Sequence, residues 1–271
     1  MIDLHVHTAR CRHATGSVEE YVQAARAAQI DTIAFTDHLP LPASLLQEDP
    51  HAVEYAMPED ELPAYIAEVL EAQERARAAG GPEVLLGVEA DLHQGNADHV
   101  RSLLARHPFD VVLGSVHYLD GWAFDDPART ERYASWNLTD LWERYFADVV
   151  AAAESGVADV MAHVDLIKKF CFVPDTDLGP LYRRTATALA AADAVVEVNA
   201  AGLRKPCGEL YPSDTFLGEL ARAGVRVSMG SDAHSPGDVG MGLTQARAAL
   251  LRAGFENVVV FRGRVPWEES L

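Results

Sequence analysis

Seven short apolar runs, each followed by a stretch with helical patterning, constrain this chain more than any other feature. The runs cover residues 2–7, 32–36, 84–89, 110–117, 158–164, 194–199 and 226–231. Most are almost continuously hydrophobic, as expected of strands buried on both faces of a parallel sheet. The helical stretches between them have legible ends. Ser17-Val18-Glu19-Glu20 reads as a capping box that opens an Ala-rich helix to Gln29. Residues 62–79 form a long charged pattern closed by Gly80-Gly81. Further helices are expected near 96–106, 139–155, 178–192, 213–223 and 243–253, and a last apolar run, 258–261, as an eighth strand or edge piece. No linker or low-complexity tract interrupts the alternation, so residues 1–271 read as a single domain. Seven or eight βα units in a chain of this size predict a closed α/β barrel. A doubly wound open sheet would want a Gly-rich phosphate loop after an early strand, and residues 7–16 hold one glycine.

The residues able to do chemistry cluster at the ends of the apolar runs. The first run contains His5 and His7, which a strand would point to one face about 7 Å apart, with His13 just beyond. The later runs end on Asp37-His38, Glu89, His117, His163, Glu197-Val198-Asn199 and Asp232-Ala233-His234. Seven of the eleven histidines thus lie at carboxyl ends of strands, where barrel enzymes place their sites. One such histidine reads as a satisfied core residue, but seven would bury too much unpaired polarity without a shared partner. A multinuclear metal site of imidazole and carboxylate fits. The cysteines at 11, 171 and 207 form no C-x-x-C pair, which points to Zn, Fe or Mn rather than a thiolate cluster. Forty-one acidic against 22 basic residues give a net charge of -19. That excludes a general nucleic-acid or anionic-membrane surface. The start shows neither a leader nor a membrane-spanning run, so a soluble cytoplasmic protein acting on a small molecule is expected.

The H-x-H of His5 and His7, the Asp37-His38 pair, His117 and Asp232-x-His234 together resemble the four signature regions of the polymerase-and-histidinol-phosphatase (PHP) family. The resemblance implies a distorted (β/α)7 barrel, TIM-like, with a centre of two to three divalent metal ions at the carboxyl ends of the strands. By the same resemblance His5, His7, Glu89 and Asp232 hold the first ion, and Glu89 bridges to a second on His117 and His163. His13, His38 and His234 hold the third. The segments 117–127, 165–170 and 197–206 are similar to the histidinol-phosphatase branch. This implies hydrolysis of L-histidinol phosphate to L-histidinol and phosphate, in histidine biosynthesis.

The residue types suit that chemistry. A phosphate monoester carries two negative charges, which metals neutralise while lowering the pKa of a bridging water toward about 7. The resulting hydroxide would attack phosphorus in line. Arg204 is expected to grip a phosphate oxygen with its forked donors, with Lys168, Lys169 and Lys205 as weaker candidates. Either Asp232 or a metal-bound water would protonate the leaving alkoxide. The Pro-rich residues 39–61 are expected to form a lid. Trp122, Phe124, Trp136, Asp125 and Asp126 in residues 121–136 form either an aromatic and acidic wall for the imidazole and ammonium of the substrate, or packing against the barrel. His51, His93, His99 and His107 read as surface residues. The competing readings are a phosphoesterase for a nucleotide or nucleic-acid 3′ end and a non-catalytic metal-binding module.

Overall fold

The computed structural model describes residues 1–93 and 95–271. Its strands and helices are, in chain order, β1 (Ile2–Val6), α1 (Val18–Ala27), β2 (Thr32–Phe35), α2 (Ala43–Glu48), α3 (Leu62–Ala78), β3 (Glu83–Asp91), α4 (Ala97–Leu104), β4 (Val111–Ser115), β5 (Tyr118–Leu119), β6 (Trp122–Ala123), α5 (Leu138–Glu154), β7 (Val160–Met161), α6 (Gly179–Ala191), β8 (Val195–Asn199), α7 (Asp214–Ala223), β9 (Arg226–Gly230), α8 (Leu243–Ala253), β10 (Asn257–Arg262) and β11 (Val265–Ser270). Seven strands lie side by side in the order β1-β2-β3-β4-β7-β8-β9, every neighbouring pair parallel. The order never reverses, so there is no switch point and the open-sheet alternative falls away.

The sheet curls into a nearly closed barrel. Its seam, between β1 and β9, is no regular ladder. His7 donates its backbone N–H to Ala233 (2.9 Å) and Ala233 donates to His5 (3.3 Å). Below them the buried Asp3 carboxylate accepts from the Ser231 N–H (2.8 Å), the Ser231 hydroxyl (2.5 Å) and the Gly240 N–H (2.9 Å). A side chain thus substitutes for strand pairing that the backbone does not provide. β7 is only two residues long, so the wall between β4 and β8 is thin there.

The elements form for local reasons and are held by packing. At α1 the Ser17 hydroxyl accepts from the Glu20 N–H while the Glu20 carboxylate accepts from the Ser17 N–H (2.7 Å), closing the expected capping box. α7 starts on a Ser213 cap and stops at Gly224, whose φ of 75° suits glycine. Strands β1, β2, β4 and β8 are buried along their whole length, and side chains such as Phe35 and Ile33 are fully enclosed. Each such burial stabilises the fold by about 1.5–3 kcal/mol. The run at 258–261 is part of an antiparallel hairpin, β10–β11, outside the barrel. Residues 39–61 hold α2 and two short 3₁₀ turns, Pro50–Glu54 and Glu59–Glu61, rather than irregular chain. A small hairpin, β5–β6, and a 3₁₀ stretch, Pro127–Ser135, occupy the corresponding position after β4. No helix among the described residues is long and apolar enough to cross a membrane.

Candidate metal centre

The expected ligands converge at the carboxyl ends of the strands, around Glu89. One carboxylate oxygen of this residue, Oε2, lies 3.1 Å from His5 Nε2, 3.2 Å from His7 Nε2 and 3.5 Å from His38 Nδ1. The other, Oε1, lies 3.0 Å from His163 Nε2 and 3.6 Å from His117 Nε2. Asp232 Oδ1 is 3.4 Å from His7 Nε2 and 3.7 Å from His5 Nε2. His13 and His234 face each other through their Nε2 atoms at 3.0 Å. Two of these residues hold their places at a backbone cost: His163 and Asp232 have φ of 27° and 52°, the left-handed region that non-glycine residues avoid.

Hydrogen-bond bookkeeping tests whether a metal fits. His13 Nδ1 bonds the Cys11 carbonyl (2.8 Å) and His234 Nδ1 the Asp232 carbonyl (3.2 Å). A carbonyl only accepts, so each Nδ1 carries the hydrogen and each Nε2 presents its lone pair to the other. Two lone pairs at that distance repel unless a cation lies between them. His38 Nδ1 is buried and without a hydrogen-bond partner, although it faces a carboxylate. Burial also holds His38 well below the usual imidazole range, and His234 down at about 3, so both stay neutral and free to ligate. At His5, burial works to lower the pKa, yet the carboxylates of Glu197, Asp232 and Glu89 drive it well above the usual range. A proton is held there unless another cation replaces it. The donor set, all imidazole and carboxylate, matches a first-row divalent ion such as zinc.

Two residues outside the expected ligand set prove to orient the ligands. Glu197 accepts from His5 Nδ1 (2.7 Å), the His163 N–H (3.1 Å) and Asn199 (2.9 Å). Asp91 accepts from His117 Nδ1 and its N–H (2.8 and 3.2 Å). Such partners fix the ring and tautomer of a ligand. The signal in the sequence is their strand-end position, which by itself does not separate a partner of a ligand from a bystander. Gly230 makes the bond between Glu197 and His5 possible, since a Cβ there would lie 2.4 Å from His5 Cβ and 2.6 Å from Glu197 Oε1.

A cavity of about 380 Å³ opens over Glu89, Asp232, His13, His38, His117, His163 and His234. Its remaining wall includes Tyr55, Asp91, Asp125, Asp126, Lys169, Lys205 and Tyr211. Asp125 and Lys205 are therefore at the cavity, as expected. Three other substrate candidates, Trp122, Lys168 and Arg204, are not. Trp122 is 1% exposed and packs edge-on against Phe124 and Tyr133, because the β5–β6 hairpin turns it into the core. Phe124 is buried with it, and Trp136 packs on the core edge. Lys168 is buried away from the cavity, bonded to Asp165 (2.9 Å), Glu209 (3.2 Å) and the Leu210 carbonyl (2.7 Å). Its neighbour Lys169 is the one that reaches the cavity, paired with Asp125 at 3.0 Å. Arg204 spends its guanidinium on the carbonyls of Ser231 (2.8 Å), Asp232 (3.2 Å) and Met241 (3.5 Å) and is not part of the cavity wall. The expected phosphate clamp is, in this structure, a brace for the loop that carries Asp232. Of the remaining histidines His51 is exposed, whereas His93, His99 and His107 are half-buried rather than on the surface.

Residues 3–201 match the family model of the PHP domain. The chain belongs to the PHP domain family. Over 265 residues this PHP chain is 38% identical to a protein of Deinococcus radiodurans named a probable histidinol-phosphatase, covering 97% of each. Among solved structures, one from Listeria monocytogenes, described as a candidate histidinol phosphatase, superimposes with a TM-score of 0.82 at 26% identity, covering 90% of this chain and 99% of that one. A histidinol phosphate phosphatase from Lactococcus lactis, solved with zinc, L-histidinol and phosphate, shares the fold at TM-score 0.80 and 20% identity, with 98% of each covered. The barrel fold is common to this chain and both solved structures.

Proposed function

We propose that this chain is a metal-dependent phosphomonoesterase that hydrolyses L-histidinol phosphate to L-histidinol and phosphate, a step of histidine biosynthesis. The observation that carries the reading is the convergence of five imidazoles on the two oxygens of Glu89, at the floor of a cavity walled by Lys169 and Lys205. The family membership and the 38% identical relative narrow the substrate. In this reading His5, His7, Glu89 and Asp232 hold one ion, Glu89, His117 and His163 a second, and His13, His38 and His234 a third. Such ions neutralise phosphoryl charge and bring the pKa of water near neutrality.

The chain's own residues do the rest. Lys169 and Lys205 draw a dianion into a molecule of net charge -19. Glu197 and Asp91 hold the imidazoles in one tautomer. Burial works to raise Asp232, but His5 and the other imidazoles bring it well below the usual carboxylate range. Asp232 is thus held as the carboxylate, the form that ligates a cation. Tyr55, raised to about 12 by burial and by Asp126, keeps its hydroxyl hydrogen at the cavity wall. The three cysteines are free, which agrees with a cytoplasmic location, and residues 1–271 act as one unit. The test is a turnover screen across phosphate monoesters, with metal content measured on the same sample. L-Histidinol phosphate should exceed every other ester in kcat/KM. Preference for a nucleotide would replace the substrate, and metal without turnover of any ester would leave a binding module.

A further inference from the structure

The loop insertions over the cavity share a small apolar cluster of Leu45, Ala52, Tyr118 and Ala123, and a single arginine outside the cavity ties them by charge. Arg129, in the 3₁₀ stretch after β6, donates Nη1 and Nη2 to the two oxygens of Asp49 at 2.7 and 2.9 Å. Its Nε lies 3.0 Å from Asp126. Asp49 belongs to the insertion between β2 and α3, where its carboxylate also caps the 3₁₀ turn that leads to Tyr55. Asp126 caps the 3₁₀ turn that contains Arg129, accepting from the Ala128 N–H at 2.8 Å. Both carboxylates are buried, with side chains 5% and 8% exposed. One guanidinium therefore links two separate loops, and both loops send polar residues into the cavity, Tyr55 from the first and Tyr118, Asp125 and Asp126 from the second. Tyr55 stands edge-on to His13 at 5.5 Å between centroids, which places its ring at the rim of the site. Arg129 itself is not part of the cavity wall.

We propose that Arg129 is a specificity-determining positioning residue: by locking the two loops into one roof, it holds Tyr55 and Asp126 where they receive the cationic organic end of the phosphomonoester. This rests on the function proposed above and adds to it the class of ester selected, an alcohol bearing positive charge. A half-buried bidentate pair is suited to the task, because the planar fork fixes orientation as well as distance. The phosphoryl end is held by other groups, so an ester without a charged tail should not sense the roof.

The experiment compares L-histidinol phosphate with p-nitrophenyl phosphate, a neutral-tailed ester, in the metal-loaded protein. Two variants are used: Arg129→Lys, which keeps the charge but loses the fork, and the pair Arg129→Met with Asp49→Asn, which removes the guanidinium together with the carboxylate it grips. In both, kcat/KM for L-histidinol phosphate should fall about tenfold to a hundredfold, mainly through KM, as expected for misplaced contacts. The rate on p-nitrophenyl phosphate and the metal content should stay within about twofold. If both esters lose rate together with metal, Arg129 merely supports the fold and the proposal is overturned. If the preference survives in both variants, the roof does not select and the proposal is overturned alone. Unaltered protein without preference for L-histidinol phosphate overturns the parent reading as well.

Discussion

Both oxygens of Glu89 face imidazoles, and its side chain is 1% exposed. Glu89→Gln keeps the size but removes the charge between two ligand sets, so bound metal and turnover should fall together when read by elemental analysis and steady-state kinetics. Glu197→Gln is the more instructive change. Glu197 is not part of the cavity wall, yet it accepts from His5 and His163, and loss of such a partner costs about 10- to 100-fold in metal affinity or activity. A competitive chelator titration that finds unchanged affinity would remove it from the centre. Arg204→Ala should lower the melting temperature by freeing the loop of Asp232, with metal retained; a large drop in kcat/KM at an unchanged melting temperature would restore Arg204 as a phosphate contact. The candidate ligands were visible in the sequence as imidazoles and carboxylates at strand ends, but type and position alone do not separate them from Glu197, and the family resemblance chose the set. Which way Trp122, Lys168 and Arg204 point was not legible, since each has two kinds of neighbour within reach and only the packing of distant segments chooses. Lys168 and Lys169 are adjacent in sequence and part company completely, one to Asp165 away from the cavity and one to Asp125 at its wall.

At the scale of elements, helix ends were readable wherever a side chain makes them. The capping box at Ser17 and the expected span of α8 agree with the sequence pattern, and most other ends shift by one or two residues. β11 was not readable, because its residues are mostly exposed and include Pro266, Glu268 and Glu269, which break the strand pattern. β7 is shorter than its apolar run: Ala162 still donates to the Gly114 carbonyl (2.9 Å), and the chain turns away at His163, whose φ is 27°. The roof elements give a pH prediction. Burial works to raise Asp49, but its bonds to Arg129 and the charge behind them bring it below the ordinary carboxylate range. A carboxylate lowered by folding stabilises the native state fully above its unfolded value, about 3.9, and that contribution is lost as pH falls through the lower folded value. Melts of the natural protein and of Asp49→Asn, taken from about pH 5 to pH 2, should differ most at the upper end and converge at the lower. A constant gap across that range would contradict the assignment.

For the molecule as a whole, the proposed metal centre is also a fastening, because its candidate ligands come from β1, β3 and the loops after β1, β2, β4, β7 and β9. Removing the ions with a chelator should abolish phosphatase activity and lower the melting temperature, since a ligand bound only by the native state stabilises it by mass action. Full activity in a verified metal-free sample would contradict the centre's role. The barrel class was legible because seven buried runs alternate with capped helices. How the barrel closes was not, because the closing bonds join Asp3 to Ser231, 228 positions apart. That seam bears on how the chain is made. Synthesis proceeds from the first residue, so β1 emerges with one edge that has no neighbour until nearly the whole barrel has been translated, and contacts this distant in sequence form late and slowly. His5 and His7 leave the ribosome long before Asp232 and His234, and until those two emerge the nascent chain carries an incomplete metal-binding site.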